Sequence, residues 1–393
     1  MTGAGTEGDA QPGLWSSPIS ARAAAAGRLR IGDVQLDGAD LCWIEGRPSV
    51  GGRSVIVRER VGVAADLIEP PFSARTRVHE YGGGAMRARG GAVYFSNGAD
   101  ARVYKVEHSG PEALTPAIGD VRYADFEVDA SRERLLCVVE DHRGPAVVND
   151  IRAIPLAGGD PVSIITGNDF YSTPRISPDG ARIAWLTWNH PNMPWDGCEL
   201  WVAALDGAGL PQDARVVAGG AAESIFQPSW SPQSVLHFTS DRTGWWNLYR
   251  DDGGAGLPLA PMEAECGGAQ WVFALSAYAF CADGRIVLWA CRDGSWEFHE
   301  LDPSGELRRV QVPYTQFGLQ VSAHHDDVVF LAGAPEVAQA VVRYDLHTGE
   351  HDVVRSVSDD VALHASILSI PRHVTFPGDG GALAHAWYYA PRN

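Results

Sequence analysis

The chain has 393 residues, of which 31 are Lys or Arg and 49 are Asp or Glu, for a net charge of −18, and its one lysine is Lys105. A net-acidic surface without a basic run repels phosphate, so no nucleic-acid partner is expected. With 45% apolar residues, 13 Trp and 44 Gly, the chain has material for a packed core with many turns, which excludes disorder as its description.

The six cysteines, Cys42, Cys137, Cys198, Cys266, Cys281 and Cys291, show neither CxxC pairs nor the short regular spacing of a disulfide framework. Buried, reduced thiols are expected. The opening MTGAGTEGDAQPGLWSS has no basic region followed by an apolar one, and Ala23 to Ala26 is too short to span a bilayer. A cytoplasmic protein with no membrane segment is therefore expected.

Residues 1 to about 13 are small and polar and read as a disordered tail, with a short helix over 19–26. From Ile31 the strand signals begin. A first unit has an opening strand, a middle strand over 40–45 and a third over 54–58. The second, 81–106, holds GGAVYFSNG and ARVYKV. The third, 123–156, holds LLCVVEDH and NDIRAIPL, and the fourth, 172–205, turns at SPDG and ends in CELWVAAL. The fifth, 224–250, shows the pattern most plainly, with an apolar run to Trp230, a turn at Ser231-Pro232-Gln233, an alternating strand over 235–239, and an aromatic strand over 245–249. The sixth spans 270–301 and the seventh 316–346.

Val55, Val103, Ile151, Leu200, Leu248, Phe298 and Val342 occupy equivalent third-strand places, separated by 48, 48, 49, 48, 50 and 44 residues. A period near 48 with several strand signals and no long helical stretch predicts an all-β fold, a seven-bladed β-propeller. The coils of a β-helix are shorter, a sandwich does not repeat at this length, and period-2 alternation excludes helical solenoids.

The segments RTRVHEYGGGA (75–85), LTWNHPNMPWDGCELWVA (186–203), SIFQPSWSP (224–232), SDRTGWWNLYR (240–250), QWVF (270–273) and HVTFPGDGGALAHAWYYAPRN (373–393) together carry a resemblance that covers nearly the whole chain. It resembles the amino-terminal propeller of prolyl oligopeptidase-family serine peptidases, especially the dipeptidyl aminopeptidase and acylaminoacyl peptidase branch. The resemblance implies a following α/β-hydrolase domain with a Ser nucleophile in a GxSxG elbow, then Asp, then His. No GxSxG occurs in these 393 residues and no strand–helix alternation could seat one, so no catalytic residue is assigned. Residues 374–376 and 383–389 look like the first hairpin of that hydrolase sheet. The expected division is a tail and short helix over 1–30, the propeller over 31–370 and this hairpin over 371–393. The chain is then expected to be a fragment, a split gene product or a subunit needing a partner, since Trp387, Tyr388 and Tyr389 would otherwise expose apolar surface.

Substrate-binding candidates follow from local chemistry. His79, Glu80 and Tyr81 precede three glycines that permit a tight turn and can bring a carboxylate toward a peptide or its amino terminus; the same residues suit a blade-to-blade turn whose Glu caps backbone amides. Asn192 and Trp195 lie in HPNMPW (190–195), an insertion with two prolines that suits either a rim loop or a rigid connector. Asp241 and Arg242 with Trp245 could present charge and aromatic surface to a peptide, or act as an Asx-type turn and blade packing. His324-His325-Asp326-Asp327 has metal-ligand residue types, but consecutive residues diverge, so a solvated turn is expected and no metal or cofactor is implied. Asp141-His142-Arg143 and scattered serines supply triad residues by composition only.

The function implied by the resemblance is a substrate-gating module that admits short or unfolded peptides to a hydrolase domain in cis or in trans and is inactive alone. Two alternatives stay open: a stand-alone scaffold that binds a protein or peptide on a propeller face, and an enzyme with a site on the propeller axis. The last needs ligands converging on the axis, and no recurrent His, Asp or Glu is read at the blade starts.

Overall fold

The computed structural model describes residues 20–22, 27–358 and 368–391. The expected tail, and most of the short helix expected over 19–26, lie outside the described residues. The described residues form seven antiparallel four-stranded sheets and a separate two-stranded hairpin. The sheets span 30–66, 86–113, 121–165, 170–219, 225–258, 278–310 and 316–356, and each is built from four strands consecutive in sequence. All seven positions read from the repeat fall in third strands, and none is more than 1% exposed. The period is therefore a core period: one fixed position per blade is buried, so its side chain must be apolar while its neighbours vary.

The innermost strand of each blade is its first, and four of these strands carry a bulge at which a non-glycine residue turns to positive φ: Asp33 (52°), Asp125 (55°), Thr173 (54°) and Gln227 (49°). A bulge breaks the ladder within its own blade and turns polar groups sideways. Here those groups meet the neighbouring blade. Asp33 accepts a hydrogen bond from the Ala85 amide (3.0 Å), Gly84 O accepts one from Asp125 N (2.9 Å), and the Asp125 carboxylate accepts from Thr173 N (2.6 Å) and Arg175 (2.9 Å). Trp230 Nε1 donates to Arg175 O (3.0 Å), Gln227 Oε1 accepts from Ala277 N (2.6 Å), and Ser276 N donates to Leu319 O (2.8 Å). Gln320 Oε1 and Ser322 Oγ then accept from Val34 N (3.3 Å) and Leu36 N (3.1 Å). Among the described residues the circle thus closes between blades 7 and 1 through side chains, without exchange of a strand. Arg355 with Glu45 (2.8 Å) and Arg343 with Glu59 (2.9 Å) add ion pairs across the same seam.

Two of the inner strands carry a buried aspartate at the bulge, where the others carry Thr173 or Gln227. Asp33 and Asp125 are buried, and burial pushes the Asp33 carboxyl up to about 6. Their spacing hid them, because each blade places its polar link at a slightly different offset. Six unpaired cysteines are present; five are buried and Cys291 is half-buried, a departure from the expectation that all would be buried.

With consecutive antiparallel strands, the turns between second and third strands share one face with the blade-to-blade links, and the remaining turns lie on the other. The last blade strand, His351–Ser356, runs toward the first of these faces. The hairpin, Arg372–Pro377 paired with Leu383–Tyr388, touches that face as well: a Cβ at Gly294, in a second-to-third turn of blade 6, would sit 3.6 Å from Trp387 Nε1.

Candidate functional site

The link into blade 2 holds His79 and Glu80 at φ 53° and 66°, followed by Gly82, Gly83 and Gly84 at 72°, 85° and 55°. Positive φ favours glycine, but space is the stricter demand here. A Cβ at Gly82 would lie 2.4 Å from Thr76 O, one at Gly83 2.7 Å from both Phe273 N and O, and one at Gly84 2.9 Å from the Phe273 side chain. The backbone approaches so closely because Gly83 forms a parallel bridge with Phe273, and Phe273 N donates to Gly82 O (3.0 Å). Phe273 belongs to the link into blade 6, which is not a ring neighbour of blade 2. The bridge therefore crosses the axial opening on the face where the chain leaves the ring.

Beside this crossing lies a cavity of about 800 Å3. It is walled by the links into blades 2, 4 and 6, the second-to-third turns of blades 3 and 4 and the inner strand of blade 5, and is mainly apolar, with Phe170, Trp188, Trp195, Phe226, Trp271 and Phe273 in its lining. His79 packs its ring against Phe170 (5.2 Å), Trp188 (5.6 Å) and Phe273 (5.0 Å). Burial pushes its pKa down to about 4, so the ring is neutral at pH 7. Its Nε2 is buried without a hydrogen-bond partner, as is Asn149 Oδ1 in the same lining.

The charged side of the cavity is tied together by one arginine. Arg122 pairs with Glu80 (3.0 Å) and Glu140 (2.7 Å), and Arg77 also reaches Glu80 (2.5 Å). Arg122 and then Arg77 hold the Glu80 carboxyl below its ordinary value. Glu140 additionally accepts from His79 N (2.5 Å) and contacts His142 Nε2. At the solvent side Tyr81, 68% exposed, meets Trp271, 53% exposed, edge-on at 5.7 Å. Trp195 tilts onto Trp271 at 4.4 Å.

Of the sequence-derived residues, His79, Glu80, Tyr81 and Trp195 come together around this cavity. Asn192 instead holds the 190–195 loop by donating to Ala221 O (2.9 Å). Asp241 accepts from Ser224 N (2.7 Å), and its carboxyl is raised by burial. Arg242 pairs with Glu223 (2.7 Å) and lies over the Tyr249 ring (4.8 Å). With Trp245, these two sit in the second-to-third turn of blade 5, on the same face but outside the cavity lining. The His324–Asp327 turn joins first and second strands and so lies on the opposite face. Asp141 is engaged by Arg143 (2.6 Å) and Arg152 (3.0 Å), and His142 by Glu140, so neither is directed at a serine. Sequence reasoning missed Trp271, Phe273, Phe170, Trp188, Glu140 and Asn149 as lining residues. The one usable signal was two aromatics in the otherwise strandless QWVF link.

No family model and no curated protein matches the chain. Among solved structures, a puromycin-hydrolyzing peptidase of Mycobacterium tuberculosis is 36% identical and superposes with a TM-score of 0.90 over 96% of this chain and 61% of its own. A puromycin hydrolase is 31% identical with a TM-score of 0.88, again over 96% of this chain and 61% of its own. The chain belongs to the prolyl oligopeptidase family. Within that family it corresponds to the propeller, and it spans about three fifths of the length of the puromycin-hydrolyzing relatives. Prolyl oligopeptidase B of Galerina marginata, 13% identical, shares the fold with a TM-score of 0.66 over 91% of this chain and 55% of its own. Among the described residues no helix is long and apolar enough to cross a membrane.

Proposed function

We propose that this propeller is the substrate-gating module of a serine peptidase of the dipeptidyl aminopeptidase and acylaminoacyl peptidase branch, and that an α/β-hydrolase domain, in cis or in trans, supplies the nucleophile. One observation carries the reading: the cavity, the axial crossing and the hairpin all lie on the face where the chain leaves the ring. A domain seated there would have its substrate cavity between itself and the propeller. The Gly83–Phe273 bridge also narrows the axial route, so selection by size acts where substrate passes between the domains rather than along a plain channel. The relatives' action on puromycin fits a site for small amides, and the mainly apolar cavity with few polar groups is typical of small-ligand sites. Six unpaired cysteines suit work in the reducing cytoplasm.

The test is turnover of aminoacyl and acyl-aminoacyl chromogenic substrates by the purified chain, alone and mixed with a separately expressed hydrolase domain of the family. Activity is expected only in the mixture. Turnover by the rigorously purified chain alone would overturn the proposal.

A further inference from the structure

The hairpin carries two histidines on one of its faces. His373 stands opposite Trp387 and Thr375 opposite His385, so the period of two along each strand puts all four side chains on the same side. The imidazoles meet on the diagonal: His373 Nε2 lies 3.1 Å from His385 Nδ1, and Thr375 Oγ1 lies 3.4 Å from that same nitrogen. Trp387 packs beside the His373 ring, with centroids 5.3 Å apart. His385 is exposed and His373 half-buried, so the pair is open to solvent. A hydrogen bond between the rings uses one N–H and one lone pair; a metal ion uses a lone pair from each. Metal–nitrogen bonds of about 2.0–2.1 Å set two imidazole nitrogens about 3.3–3.4 Å apart at a tetrahedral angle and about 2.9 Å apart at a right angle. The separation of 3.1 Å lies between these two values. The rings are nearly parallel (5°) with centroids 5.3 Å apart, so the nitrogens face each other almost head-on, and a swing of both rings turns their lone pairs toward one point beside the line that joins them.

We propose that His373 and His385 form a two-point site for a divalent transition-metal ion of the zinc, nickel or copper class, with the Thr375 hydroxyl and water filling the remaining positions. Imidazole nitrogen suits these metals, whereas magnesium and calcium require oxygen ligands. Among the described residues no group of three or more His, Cys, Asp or Glu is placed to hold a metal, so the site is an open chelate rather than a closed structural centre. Its effect falls on the hairpin. An ion held by both strands fixes their register, and through His373 and Trp387 it steadies the hairpin against blade 6, where a Cβ at Gly294 would lie 3.6 Å from Trp387 Nε1. The site does not depend on the gating reading.

Titration calorimetry of the purified chain with zinc, nickel and magnesium chlorides tests this directly. Zinc and nickel are expected to bind and magnesium is not. His373→Ala and His385→Gln should each weaken zinc and nickel binding by at least about tenfold, because a chelate then keeps only one of its two nitrogens. His324→Ala, on the opposite face, should leave both affinities within about twofold. The hairpin lies outside the seven sheets, so the ring folds in both hairpin variants, which far-ultraviolet circular dichroism checks. One equivalent of copper(II) reads the site by a second route: its electron paramagnetic resonance spectrum should show two equatorial nitrogens in the parent chain and one in His385→Gln. No zinc binding, magnesium binding as tight as zinc, affinities unchanged in both hairpin variants, or the same copper spectrum in parent and variant overturns the site. None of these outcomes touches the gating reading, which stands or falls on turnover in the mixture with a hydrolase domain.

Discussion

Gly83 shows how a single residue can be set by a neighbour far away in sequence. Its hydrogen is all that fits between its own backbone and that of Phe273. Gly83→Ala is expected to destabilise the chain by about 1–3 kcal/mol, from strain at positive φ and from overpacking. Gly38→Ala, also at positive φ but with open space around it, should cost no more than about 1 kcal/mol. Urea unfolding compares the two, and equal losses would show that the crossing imposes no constraint. His79 allows a test by pH. Above about 6.5 it is neutral both folded and unfolded; as the pH falls from 6.5 toward 4 the unfolded chain takes up the proton first, so stability is lost across that window. His79→Phe should make this acid limb shallower, by on the order of 2–3 kcal/mol at pH 4. His237, pushed down to about 4 by the same cause, keeps part of the slope. An unchanged limb in His79→Phe would place the histidine in water rather than in the aromatic wall.

The blade is the element that could be read from the chain, because its third strand buries one residue per repeat and burial demands an apolar side chain whatever its neighbours do. The links between blades were harder to read. Asp33, Asp125, Gln227 and Gln320 are polar residues inside strand signals, where alternation makes them look solvent-facing; only the bulges turn them onto the next blade. Gln227 is the clearest case. It accepts from Ala277 N (2.6 Å) and Tyr278 N (3.2 Å) and donates to Tyr278 O (2.7 Å), joining blades 5 and 6. Gln227→Ala is expected to cost about 1–3 kcal/mol by leaving buried amide groups unpaired, measured by equilibrium unfolding. A loss below about 0.5 kcal/mol, the range of an ordinary surface change, would show that the circle holds without this link. The cavity was legible only in part for the same reason: Tyr81 and Trp195 stand in loops that look like loops, whereas Phe170, Trp188 and Glu140 lie in or at the ends of ordinary strands. No local pattern could show that two blades aim them at one space.

At the scale of the whole molecule, an even number of strands per blade decides which face is which. It sends every blade-to-blade link, the chain's exit from blade 7 and the hairpin to one side, and the cavity opens there because the links form its walls. Family membership rests on similarity over 96% of the chain, and the proposed division of labour with a hydrolase domain rests on that shared face. Hydrogen exchange of the purified chain, with and without a separately expressed hydrolase domain of the family, tests this most directly. The account predicts slowed exchange on mixing in the links and turns around residues 79–82, 188–195 and 269–275 and in the hairpin at 372–388, with no change in the opposite-face turn at 324–327. Protection of the 324–327 side, or no protection anywhere under conditions where the two parts associate, would contradict it.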